Sequence, residues 1–175
     1  VAADPQRGRL TPARPWPGLR ALQLLGALWT LPNTLLGLLA GLVALAWGAR
    51  LRWQGRELAL VVERWPWGPG GAMTLGNVIL LKGESLDVAC FTYEHQAGHC
   101  QHPAVRLGDH ERAHVYQYLL LGPLFLPVYL LCGGISVRNP FERAADHYAL
   151  HGRGWFPTRR QRQRRRPKPN SAANG

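Results

Sequence analysis

The sequence predicts an α+β fold: an apolar N-terminal helix or helical hairpin, a small, mainly antiparallel sheet, and a pair of helices carrying the ionisable residues. Three features lead there. Residues 21–49 contain no charged side chain, residues 51–81 alternate apolar with polar or small positions, and two later stretches, starting near His110 and at Pro140, carry charged residues at helical spacing.

The uncharged stretch lies between Arg20 and Arg50, with Trp16, Trp29, Trp47 and Trp53 near its ends. It is long enough for a membrane span, which needs about 20 apolar residues, and too long for the ~7–15-residue core of a cleaved leader. Thr30-Leu31-Pro32-Asn33 interrupts it, because proline lacks an amide donor and disfavours helix at the residue before it. Either a kinked span or two helices meeting near Pro32 is expected; a buried hairpin of a soluble protein is the alternative.

The sheet is expected from Leu51 and Trp53, followed after a Gln54-Gly55 turn by Leu58, Leu60 and Val62. Residues 65–71 read as a Trp/Pro/Gly loop. Residues 74–81 read as one further strand, with Gly76 as a bulge. Residues 82–108 are mixed and carry no clear pattern. A helix is then expected from His110 to about Leu121, broken at Gly122-Pro123, with Asp109 placed to cap it. Residues 115–137 again lack charge and read as a membrane segment or a buried helix pair. Asn139-Pro140 opens the last helix, with proline at the first helical position.

Net charge is +11 over 175 residues, and mean hydropathy is −0.16. Eight of the 21 basic residues follow Gly152: Arg153, Arg159, Arg160, Arg162, Arg164, Arg165, Arg166 and Lys168. No acid accompanies them, so the basicity belongs to a tail and the body is nearly balanced. The expected organisation is a lead-in over 1–17, the apolar segment over 18–50, one metal-binding domain over 51–152, and a disordered basic tail over 153–175. Cys90, Cys100 and Cys132 form no Cys-x-x-Cys pair, and their odd number argues against a disulfide framework.

The chemistry lies in His110-Glu111-Arg112-Ala113-His114. Residues four apart on a helix share a face, so two imidazoles can hold one Zn²⁺, with Glu111 beside them as a base rather than a ligand. Catalytic zinc takes three protein ligands and keeps one position open. Glu142 on the last helix is the candidate third ligand, and Asp146, one turn later, can accept the free ring N–H of a ligand histidine. Ionisable groups beside so long an uncharged stretch are costly unless paired or metal-bound. By contrast, Glu94, His95, His99, Cys100 and His102 match no structural zinc spacing and read as a polar loop. His151 reads as a helix C-terminal cation.

His-Glu-Arg-Ala-His followed by Asn-Pro-Phe-Glu-Arg-Ala-Ala-Asp resembles the gluzincin class of zinc metallopeptidases. The likeness covers Asp109 to Asp146. It implies a zincin-like pair of active-site helices, His110, His114 and Glu142 as zinc ligands, Glu111 as general base and Asp146 behind the metal. The oxyanion donor is open among Tyr148, His147, Tyr116 and Tyr129. The intervening Gly-Pro-Leu-Phe-Leu-Pro-Val-Tyr also resembles small uncharacterised bacterial membrane proteins, which implies an inner-membrane location with a cytoplasmic basic tail. The expected partners are a peptide or protein substrate, membrane lipid, and anionic lipid or nucleic acid at the tail. The rival readings are a non-catalytic membrane scaffold or adaptor that keeps the fold, and a nucleic-acid-binding protein acting through its tail.

Overall fold

The computed structural model describes residues 25–158 apart from Pro69. The lead-in over 1–17, the first part of the apolar segment and residues 159–175 of the basic tail lie outside the described residues.

Residues 25–29 are helical and a turn at Thr30 separates them from helix α1 (Leu31–Leu45). The uncharged stretch is therefore two helical pieces meeting at the proline, as its sequence anticipates. Only small or polar residues of α1 are buried: Asn33, Gly37, Gly41 and Ala44, which recur at helical spacing on one face. A Cβ on Gly37 would come within 2.7 Å of Val78 Cβ, and one on Gly41 within 2.8 Å of Val62 Cγ2. The missing side chains are what let the helix backbone lie directly on a sheet.

That sheet has the order β1 (Arg50–Gln54), β2 (Ala59–Glu63), β4 (Val78–Leu81), β3 (Ala72–Leu75). β1 pairs antiparallel with β2, and β3 with β4, while β2 and β4 run parallel with Leu60 opposite Val78. The stretch expected as one strand over 74–81 is instead two strands of a hairpin. Gly76, expected as a bulge, takes a positive φ of 61° in the turn, and Asn77 N–H donates to Thr34 Oγ1 of α1 at 3.1 Å.

Alternation in β2 and β4 splits the core into two layers. Val62, Val78 and Leu80 face α1 and Ala44. Ala59, Val61, Ile79 and Leu81 face the other way, onto Leu107 and Val115. Those two residues belong to helix α3 (Leu107–Leu121), reached through a region the sequence left unassigned: a short hairpin of β5 (Ala89–Cys90) and β6 (Val105–Arg106) enclosing helix α2 (Tyr93–Gln96). A 3-10 turn (Gly122–Leu124) and helix α4 (Phe125–Leu131) follow, then α5 (Pro140–His151), whose N-cap Asn139 accepts from Phe141 N–H. The domain does not stop at Gly152. Trp155 packs on Tyr116 and Phe156 on Phe141, so the ordered body reaches several residues into the stretch expected as tail.

One helical run, Leu107–Leu131, is long and apolar enough to cross a membrane by length and composition. Its first three turns are core, with every residue from Leu107 to Tyr118 buried. The exposed apolar surface lies elsewhere: Leu35, Leu36, Leu39, Leu42 and Val43 on the outer face of α1, and Leu124, Leu130 and Leu131 around α4. At about 1.5 Å per residue α1 is shorter than the ~30 Å hydrocarbon layer.

Gly37→Leu is expected to lower the thermal midpoint, corresponding to roughly 1–3 kcal/mol of overpacking. Leu39→Ala on the outer face should stay within about 0.5 kcal/mol of the parent. Parallel melting curves of the two variants check both.

Candidate metal centre

Helix α3 is buried around its whole circumference, so each of its ionisable side chains needs a partner. On one flank, Arg106 meets Glu57 at 2.7 Å and Asp109 at 3.5 Å, and Arg112 meets Asp109 at 3.2 Å and Glu57 at 3.4 Å. Arg106 also pairs with the exposed Asp87, so this buried network of arginines and acids runs out to the surface. Such a network adds little net stability, yet loss of any one member strands its partner away from water. It ties the start of α3 to the β1–β2 turn. The helix begins at Leu107 with Arg106 as N-cap, so Asp109 is not the cap expected from the sequence; it serves this network instead. His110 consequently lies inside the helix rather than at its edge.

On the opposite flank, His110 and His114 face α5. Their Nε2 atoms are 3.1 Å apart, and Glu142 Oε2 lies 3.1 Å from the first and 3.3 Å from the second. The ring protons are assigned by the outer partners. Asp146 Oδ1, which only accepts, is 3.0 Å from His110 Nδ1. Gln117 donates its amide to the Phe141 and Trp155 carbonyls, which turns its Oε1 toward His114 Nδ1 at 2.8 Å. Both neutral rings therefore carry their hydrogen on Nδ1. With both rings neutral, two imidazole lone pairs and a carboxylate oxygen converge on one point with no hydrogen between them. A proton taken up by a ring, or a metal ion at that point, relieves the arrangement.

The spacing fits a metal. Ligand atoms at about 2.0–2.1 Å from a tetrahedral ion are about 3.3 Å from each other, close to the three separations observed. His110, His114 and Glu142 are thus a group able to hold a metal ion. Glu142 is fixed through its other oxygen, Oε1, which accepts from the Tyr129 hydroxyl. Glu111, on the same helix, accepts from Thr74 Oγ1 at 2.6 Å, which tethers it to strand β3.

Without a metal, protons fill the same role. Burial alone would lower the His110 pKa, but hydrogen bonds to Asp146 and Glu142, with the charges of Glu142 and Glu111, hold it well above the ordinary histidine value. His114 is likewise opposed by burial and raised by Glu142. Burial would raise the Glu142 pKa, yet the two histidines hold it far below the usual carboxylate range.

Of the four candidate oxyanion donors, Tyr129 alone stands at the centre, its ring 6.1 Å from that of His114. Tyr116 and Tyr148 pack on each other in the core, with ring centroids 5.7 Å apart. His147 is half-buried, stacks on His151 and bonds the Arg153 carbonyl. Three neighbours were not anticipated: Thr74, Gln117 and Tyr93. Gln117, three residues beyond His114 on a helix, was open to inference. Thr74 and Tyr93 come from distant elements and had no sequence signal. Tyr93 donates its backbone N–H to Asp146 Oδ2 at 2.8 Å, and its ring lies 6.0 Å from His110. The structure also gathers Glu94, Cys100 and His102, which sequence spacing had left as a polar loop. All three cysteines are free. No protein family, curated protein or solved structure matches the chain.

Two outcomes are expected. Gln117→Ala leaves the His114 N–H and two carbonyls short of a partner, so it should destabilise the protein by about 1–3 kcal/mol, measured by denaturant unfolding. The second concerns pH. Both histidines titrate above their unfolded value of 6.5, so their contribution to metal-free stability is complete below that pH and is lost as pH rises through the folded values. Glu142 contributes above its unfolded value of 4.5 and loses this only in stronger acid. The metal-free protein should therefore melt highest between about pH 4.5 and 6.5 and lower toward about pH 9, while the upward shift on adding zinc grows over that alkaline range. Melting curves across pH, with chelator or with zinc, check this.

Proposed function

We propose that the chain is a membrane-associated, zinc-dependent peptidase built as in the gluzincin class. The observation that carries the reading is the convergence of His110 Nε2, His114 Nε2 and Glu142 Oε2, with separations of 3.1, 3.1 and 3.3 Å, beside Glu111 on the same helix. In this reading His110, His114 and Glu142 hold the ion, and Asp146 and Gln117 orient the two rings. Zinc in such a site acidifies water and polarises a carbonyl. Glu111, aimed by Thr74, takes the proton of the attacking water and delivers it to the leaving amine. Tyr129, whose hydroxyl donates to Glu142 Oε1 in this conformation, would turn that hydrogen to the developing oxyanion. Edge strand β3, which carries Thr74, offers its free side to an extended peptide.

The apolar outer face of α1, with the exposed leucines around α4, supports contact with lipid. Arginines beyond residue 158 would add attraction to an anionic surface or to nucleic acid. A second reading, an ion-stabilised scaffold without turnover, is favoured by one feature: His110, His114, Glu142 and Glu111 are only 6%, 7%, 2% and 3% exposed, leaving a substrate little access in this conformation.

One experiment separates the two readings. Purified protein is assayed for zinc content and for cleavage of a peptide mixture by mass spectrometry. The peptidase reading expects one zinc lost in Glu142→Ala. It also expects Glu111→Gln to keep that zinc while cleavage falls about 10²–10⁴-fold. Zinc retained with no cleavage by the parent protein leaves the scaffold reading standing.

A further inference from the structure

We propose that Glu94, Cys100 and His102 form a second divalent-metal site, of a donor set suited to zinc, in the loop between β5 and β6. Its geometry stands independently of the reading given to the first site. The donor atoms of the three residues all lie within 4.8 Å of one another. Cys100 Sγ is 3.5 Å from His102 Nε2 and 3.8 Å from Glu94 Oε2. For a tetrahedral zinc with sulfur at about 2.3 Å and nitrogen or oxygen at about 2.1 Å, those separations come to about 3.6 Å. As hydrogen bonds from a thiol they are long and weak; as edges of a coordination shell they are ordinary.

The loop is built to present these groups. Thr92 Oγ1 caps α2 by accepting from His95 N–H at 3.2 Å and lies 2.9 Å from His102 Nδ1. Cys100 Sγ lies 3.5 Å from both ring nitrogens of His102, and with Nδ1 engaged by Thr92, Nε2 is the nitrogen left for a metal. His95 Nδ1 meets the His102 carbonyl at 2.9 Å, which closes the loop and uses that ring for support. The backbone carbonyl of Glu94 accepts from His99 N–H at 2.9 Å, turning the chain so that Cys100 comes back over α2. A thiolate, an imidazole and a carboxylate together select a borderline cation such as zinc over magnesium or calcium, which prefer oxygen throughout. Three protein donors leave a fourth position for water.

The site also has a structural consequence for its neighbour. Tyr93, adjacent to Glu94, holds Asp146 through its backbone N–H, and Asp146 orients His110. An ion between Glu94, Cys100 and His102 clips shut the loop on which that contact depends.

Cobalt titration of the full chain tests the proposal, because a thiolate ligand produces a near-ultraviolet charge-transfer band that a His-His-Glu site lacks. The parent protein should bind two equivalents and show the band. Cys100→Ser should lose the band and one equivalent, and His102→Ala should weaken it. The double variant His110→Ala/His114→Ala should lose one equivalent and keep the band, so failure of either site is read separately. An independent measurement needs no variant: zinc should slow alkylation of Cys100 by about tenfold or more while leaving Cys132 unprotected. Absence of the charge-transfer band in the saturated parent protein, its survival in Cys100→Ser, or equal alkylation of Cys100 with and without zinc would each overturn the site.

Discussion

Helix α3 is buried on every side over its first three turns, and everything else in the domain answers to that. A surface helix can leave charges to solvent; this one carries Asp109, His110, Glu111, Arg112 and His114 into the interior, where an unpaired ionisable group is costly. Four different elements meet them. The β1–β2 turn supplies Glu57, β6 supplies Arg106, β3 supplies Thr74 and α5 supplies Glu142 with Asp146. The polar contacts that satisfy the helix are the same contacts that fix sheet, hairpin and final helix around it.

The two flanks of α3 are satisfied in different ways. On the Arg112 side, Arg106 and Arg112 are set against Glu57 and Asp109, and Arg106 reaches outward to Asp87 as well. On the histidine side, Asp146 and Gln117 engage the outer ring nitrogens, and the two inner nitrogens converge on Glu142. That convergence can be satisfied by protons on the rings or by a metal ion, which is what makes this side a candidate metal centre.

The layer beneath serves the same end from further away. Gly37 and Gly41 bring α1 onto β2 and β4, and Asn33 Nδ2 donates to the Gly122 carbonyl at 3.0 Å where α3 gives way to α4. The break at Gly122 turns α4 so that Tyr129 reaches Glu142. An apolar helix whose outer face is left uncovered thus helps to position a residue of the site on the opposite side of the sheet.

Much of this was legible in the chain itself. The proline at 32, the Gly122-Pro123 break and the Asn139-Pro140 start act through backbone geometry, which is local, and each marks a boundary the structure keeps. His110, His114, Glu142 and Asp146 were readable because helical periodicity places residues four apart on one face. What sequence alone could not decide were the contacts made across elements. Residues 74–81 looked like one strand because apolar content does not report a reversal at Gly76. Asp109 looked like a cap because its buried partners Arg106 and Arg112 are recognised only once the helix is enclosed. Tyr129 could not be chosen over Tyr116 or Tyr148, and Glu94, Cys100 and His102 could not be joined, because no periodicity links them. Local chemistry determined where the proline-started helices begin and which donors the helices carry; tertiary packing decided where α3 starts and which donors meet, since that depends on distances between segments that no spacing along the chain records.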